Sequence, residues 1–226
     1  MDPRAHLEHT LLGANATIGE VERTCTEALS LSLFAVCVAP CWVADAVRIL
    51  SGSDVKVVTV AGFPFGTATT ATKVAEASES LSLRASEVDM VLNLGLFLSG
   101  REGRAAEDME AVAEACHRAG GRLKVILETG YLTDEQKRRA CALAVEAGAD
   151  FVKTSTGFGP GGATVEDVAL LRQSVPATVG VKAAGGIRDL KTALAMIAAG
   201  ASRIGTSAGA AIAREAVGIL GGETSE

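Results

Sequence analysis

The run Ala147-Gly148-Ala149-Asp150-Phe151-Val152-Lys153-Thr154-Ser155 carries the pattern that sets the architecture. A glycine sits where a helix would end, in a position that favours a left-handed residue. An apolar stretch of strand character follows at once, with a lysine inside it. Ala-Gly-Ala recurs at 199–201, again just ahead of a strand-like run. Read outward from here, strands are expected at 6–11, 34–39, 56–61, 87–92, 123–128, 151–155, 178–183 and 202–206. Their C-terminal ends lie on average about 28 residues apart, the size of one strand-plus-helix unit. The segments between them carry helical signals. Thr17 with Glu20 and Thr133 with Gln136 read as capping boxes. Val21, Cys25, Ala28 and Leu29 form one apolar stripe at helical spacing, and Met109, Val112, Ala113 and Cys116 form another. Strands alternating with helices imply parallel strands, and eight such units predict a closed (β/α)8 TIM barrel, a single domain over residues 1–226. A doubly wound open sheet would carry Gly-x-Gly-x-x-Gly after its first strand, and Gly13 and Gly19 are too far apart for that.

Composition narrows the function. The 226 residues carry 21 basic and 27 acidic side chains, a formal charge of −6, which disfavours a nucleic-acid partner. A hydrophobic share of 48% with 21% charged residues supports a large core and excludes disorder. No apolar run reaches the ~18 residues of a membrane helix. The opening Met-Asp-Pro-Arg-Ala-His-Leu-Glu does not read as a signal peptide. Five scattered cysteines, at 25, 37, 41, 116 and 141, fit reduced thiols and a cytoplasmic location.

The strands are unusual in their polar residues. In a barrel, alternate strand residues face the interior and the helices. Val88, Met90 and Leu92 then share one face, and Asp89, Val91 and Asn93 the other. Leu123, Val125 and Leu127 oppose Lys124, Ile126 and Glu128; Val152 and Thr154 oppose Phe151, Lys153 and Ser155; Val179 and Val181 oppose Gly180 and Lys182. Burying an unpaired charge costs several kcal/mol, so charges of both signs on four interior faces point to a shared polar site. Lys153 and Lys182 are one repeat apart and should sit at equal heights on neighbouring strands, ~4.8 Å apart. Repulsion and desolvation lower an amine pKa, and a neutral amine attacks carbonyls. Asp89 can balance the charge and move protons. The competing reading is an ion network that only holds the interior together.

Gly185-Gly186 follows the seventh strand, with Arg188 just beyond, and Gly205-Thr206-Ser207 ends the eighth and opens a helix. Loops after strands seven and eight often bind phosphate on backbone N–H groups at a helix N-terminus. The Gly/Ser/Thr run 154–162 reads equally as a substrate loop or an irregular connection. A catalytic zinc usually needs three protein ligands, and the three histidines, 6, 9 and 117, do not share a face. Cys37, with no histidine partner in view, reads as an interior filler. Trp42 and Tyr131 read as packing or subunit contacts.

These residues resemble those of the deoxyribose-phosphate aldolase family. The resemblance runs from Leu7-Glu8-His9-Thr10-Leu11-Leu12 to the helix after Ser207. Its most specific motifs are Glu87–Asn93, Phe151–Phe158 and Gly180–Gly186, with Val36-Cys37-Val38 and Gly62–Gly66 in support. It implies a cofactor-free Schiff-base aldolase that joins acetaldehyde and D-glyceraldehyde 3-phosphate reversibly into 2-deoxy-D-ribose 5-phosphate. Lys153 would form the imine, and Asp89 and Lys182 would be the proton-transfer pair. Gly185, Gly186, Gly205 and Ser207 would meet the phosphate, with Thr154, Lys124 and Cys37 also at the substrate site. A cytoplasmic homodimer is implied, with phosphosugar and aldehyde as its partners. Three departures stand out: Glu8 where Asp is common, Ala208 where some members have a second serine, and a tail at 221–226 without the terminal tyrosine some members use in proton transfer. An isomerase or synthase using the lysines only as charges, and a phosphate-sensing regulator, remain as alternatives. Activity that survives borohydride with substrate would mark the first, and binding without aldehyde release the second.

Overall fold

The computed structural model describes residues 2–222. Its eight strands are β1 (Leu7–Leu11), β2 (Ala35–Val38), β3 (Lys56–Ala61), β4 (Glu87–Val91), β5 (Arg122–Ile126), β6 (Phe151–Lys153), β7 (Gly180–Ala184) and β8 (Arg203–Thr206). They pair in parallel in sequence order, and β8 closes on β1, so the sheet is a complete barrel. Closure removes every sheet edge, which leaves no unpaired strand backbone to protect. The helices α1 (Ile18–Ser30), α2 (Val43–Ile49), α3 (Thr70–Ser82), α4 (Leu94–Leu98), α5 (Glu102–Arg118), α6 (Asp134–Glu146), α7 (Val165–Ser174), α8 (Leu190–Ala198) and α9 (Gly209–Gly222) follow the strands. Only β4 is followed by two.

Local chemistry explains where the elements begin and end. The Glu20 carboxylate accepts from the backbone N–H and hydroxyl of Thr17 at the start of α1. Thr133 and Gln136 exchange hydrogen bonds at the start of α6. Gly148, at φ 84°, ends the turn after α6 in the left-handed region, where a side chain would be strained.

Two strands are shorter than their apolar runs. β5 stops at Ile126 because Glu128 turns the chain with a φ of 55°. β6 stops at Lys153, and the Thr154 hydroxyl then takes over from the ladder, donating to the Ala184 carbonyl and accepting from its N–H. Asn93, expected on the interior face of β4, instead caps α4 by accepting from the Leu96 N–H.

The main core lies between sheet and helices. Val88, Met90, Leu123, Val125, Val152 and Val181 face the helices and are buried there. Inside the barrel, Ala35, Cys37, Val58 and Val60 form a small apolar plug. The Arg203 guanidinium lies 3.7 Å over the Phe34 ring. The remaining interior is ionic. Among the described residues, no helix is long and apolar enough to cross a membrane.

Candidate active site

The register of the parallel ladder places the charged residues. Lys153 is paired directly with Lys182, and Asp89 with Lys124. Alternation of strand side chains points all four inward. Asp89 sits at the centre: one carboxylate oxygen accepts from Lys153 at 2.8 Å and from Lys182 at 2.6 Å, and the other accepts from Lys124 at 2.9 Å. Glu8 from β1 accepts from Lys182, and Glu87 lies 2.6 Å from Lys124. Three carboxylates therefore face three ammonium groups, which keeps the buried interior near neutrality.

These groups differ in access. Lys124 and Lys182 have side-chain exposures of 0%, whereas Lys153 keeps 4%. That small opening matters because Lys153 lines a cavity of about 280 Å³ at the C-terminal mouth of the barrel. Thr10, Gly157, Gly185, Gly186, Arg188, Gly205 and Ser207 line the same cavity. Of the three interior lysines, Lys153 alone reaches it.

Electrostatics separates the amines further. Burial lowers the Lys153 pKa, Asp89 pulls it up, and Lys182 pushes it down again; the net direction is below the ordinary lysine value. Burial also opposes the charges on Lys182 and Lys124, but Asp89 and Glu8 overcome it, and both are raised. Burial works against the Asp89 anion, yet Lys124, Lys153 and Lys182 hold it well below the usual carboxylate range. The result is a fixed anion between two firmly cationic lysines and a third that gives up its proton more readily.

Other residues from the sequence reading lie elsewhere. Lys124 is fully buried beside Asp89, its register partner. Thr154 is buried and committed to the Ala184 backbone. Cys37 is fully buried in the interior plug, and burial pushes its thiol up to about 11, so it is protonated at neutral pH. None of these three lines the cavity. Gly185 and Gly186, at φ 90° and 79°, form the bend that carries the backbone along the cavity after β7. Ser207 lies just before α9. Tyr131 is 56% exposed beside the mouth. The tail comparison falls on residues 221–226, of which 223–226 lie outside the described residues.

The family model described as DeoC/LacD family aldolase matches residues 4–217. The chain belongs to the DeoC/LacD aldolase family. Such aldolases are carbon–carbon lyases, so the chain is an enzyme. A deoxyribose-phosphate aldolase of Brevibacillus brevis is 53% identical over 213 residues, 94% of this chain and 95% of the relative. One from Thermoanaerobacter sp. is 54% identical over 210 residues, 92% of this chain and 94% of the relative. A solved aldolase structure superposes with a TM-score of 0.93 at 40% identity, covering 97% of this chain and 98% of its own. The structure of a deoxyribose phosphate aldolase from Aeropyrum pernix, described as tetrameric, gives 0.90 at 29% identity, covering 96% and 92%.

Several site contacts are not legible in the sequence alone. The residue type of Glu87 alone does not reveal its approach to Lys124. Its parity, two residues before Asp89, was the available signal. Arg188, just beyond the glycine pair after β7, is the second cation on the cavity wall. Thr10 and Gly157 join the wall only because the barrel closes and the loop after β6 folds back.

Proposed function

We propose that this aldolase cleaves 2-deoxy-D-ribose 5-phosphate reversibly to acetaldehyde and D-glyceraldehyde 3-phosphate through an imine on Lys153. One observation carries the reading: among three buried interior lysines, the only one open to the cavity is the one whose proton is held less tightly. Two curated relatives named for this activity, each more than half identical, support the choice of substrate.

In the cleavage direction, the neutral Lys153 Nζ attacks C1 of the open-chain sugar. The carbinolamine loses its oxygen as water and becomes an iminium. The C3 hydroxyl gives up its proton, the C2–C3 bond breaks, its electron pair becomes the C1=C2 double bond, and the C=N π pair returns to nitrogen, leaving an enamine. Glyceraldehyde 3-phosphate leaves. Protonation at C2 restores an iminium, water adds at C1, and the C1–N bond breaks to release acetaldehyde.

Asp89 and Lys182 serve the proton steps. The Asp89 oxygen bonded to both lysines takes the Lys153 proton and hands it on to the departing carbinolamine oxygen, while Lys182, already protonated, can only donate. Lys182 stays cationic and so discourages a second charge beside it. Gly185, Gly186, Gly205 and Ser207, with Arg188, grip the phosphate, which sets C1 near the amine before chemistry begins. Thr154, Lys124 and Cys37 act from behind this layer, by holding β7, balancing Asp89 and filling the interior.

The test is borohydride reduction in the presence of acetaldehyde, followed by peptide mass mapping. The adduct is expected on Lys153, and Lys153→Ala is expected to lose at least about a thousandfold in turnover. An unmodified Lys153 in a fully active enzyme would end the proposal.

A further inference from the structure

The loop from Ser155 to Gly162 leaves β6 just beyond Lys153 and supplies Thr156, Gly157 and Phe158 to the cavity wall. Its ends are tied to β7 and the bend after it: Thr154 bonds the Ala184 backbone, and the Ala163 N–H donates to the Gly185 carbonyl. Between them, among the described residues, its hydrogen bonds to the rest of the protein all go to one side chain, Glu128. The Glu128 carboxylate accepts from the Thr156 N–H at 3.1 Å and from the Thr156 hydroxyl. The same hydroxyl oxygen accepts from the Phe158 N–H at 3.0 Å, so the hold passes two residues along the loop. Gly159 packs against this carboxyl so closely that a methyl there would lie 2.7 Å from its carbon.

Two features make Glu128 more than a convenient acceptor. It is only 3% exposed and no cation is paired with it among the described residues, so these bonds are what compensate its desolvation. Its backbone also takes a φ of 55°, a region a non-glycine residue enters at a cost. A strained backbone that delivers a carboxylate with no cation partner to one loop is a device for fixing that loop.

We infer that Glu128 is a positioning residue for substrate binding: it clamps the 156–159 loop so that Gly157 and Phe158 complete the wall around the phosphate-bearing end of the sugar. This rests on the phosphosugar reading above. Glu128 touches neither Lys153 nor Asp89, so its effect should fall on binding rather than on the amine.

The experiment compares Glu128→Ala, Glu128→Gln and wild type in three measurements: KM and kcat for 2-deoxyribose 5-phosphate, affinity for inorganic phosphate by calorimetry, and borohydride trapping with acetaldehyde alone. Glu128→Ala should raise KM about tenfold or more and weaken phosphate binding, while trapping at Lys153 stays at the wild-type level. Glu128→Gln keeps one acceptor oxygen and should recover part of the loss. Should the alanine variant fail to fold, the glutamine variant carries the same test. Unchanged KM and phosphate affinity in the folded variants would overturn the inference, as would trapping that falls in step with kcat at constant KM. A wild-type enzyme that never traps would sink the imine reading alone, because phosphate affinity still decides the role of Glu128.

Discussion

A lysine amine in water keeps its proton to about pH 10.4, and an imine-forming lysine must lose it far more readily. At Lys153 burial does most of this, Lys182 adds to it, and Asp89 opposes it. The sequence showed two lysines one repeat apart and hence their mutual repulsion. It did not show that Glu8 and Asp89 together would keep Lys182 charged, so that the repulsion acts on one partner only. Replacing Lys182 by Leu removes the cation and leaves Asp89 bonded to the amine. The Lys153 pKa should rise, so the acid limb of the kcat/KM profile should move to higher pH and turnover at neutral pH should fall. A limb that stays in place, read from rates across pH 5 to 10, would show that Lys182 does not tune the amine.

At the scale of the element, the strands hold these side chains in register, and glycine decides how close a neighbour may come. Gly205 on β8 faces Lys182, and a methyl there would stand 2.9 Å from Lys182 Cε, too near for the lysine to keep its place. Gly205→Ala should therefore cost about 1–3 kcal/mol of stability and displace Lys182 from Asp89 and Glu8. Thermal melting should register the first effect and a fall in kcat the second; normal values of both would refute the close contact. Strand parity made the inward lysines legible, because a period of two is written in the residues themselves. The ends of β5 and β6 were not, because Glu128 leaves the ladder to meet Thr156 in the loop after β6, and Thr154 leaves it to meet Ala184 on β7. The short α4 escaped notice for a related reason: five residues carry too little periodicity, and Asn93 looked like the end of a strand.

Across the whole molecule, the ion cluster links catalysis to stability. Asp89 titrates well below its ordinary value in the folded chain, so the unfolded chain binds more protons between the two values. Its contribution is present above about pH 4 and is lost as pH falls through the folded pKa. Lys182 and Lys124 are raised, so their contributions are present below about pH 10.4 and are lost as pH climbs through their folded values. Lys153, lowered, acts in the opposite sense: it costs stability while protonated, and that cost fades as pH rises toward its unfolded value. The melting temperature should thus hold steady near neutrality and fall on the acid side below about pH 4. A melting temperature unchanged from pH 5 to pH 2 would show that the cluster is not ionised as described. A second buried pair, Lys73 of α3 with Asp108 of α5, lies outside the barrel wall and away from the cavity. It shows that burial of a lysine alone did not mark the site.

The sequence by itself determined the eight strands, their order, the inward lysines and the glycine bends after β7. Each of these follows from a pattern a few residues long or from its repetition, and close-range sterics and periodicity act before any tertiary contact exists. Only the tertiary structure decided which amine meets the cavity, which carboxylate keeps Lys182 charged, and where Glu128 aims its side chain. Those outcomes join residues as far apart as 64 positions, for Lys153 and Asp89, and 174, for Lys182 and Glu8. Desolvation and ion pairing depend on everything packed around a group, and closure of the barrel is what brings those neighbours together.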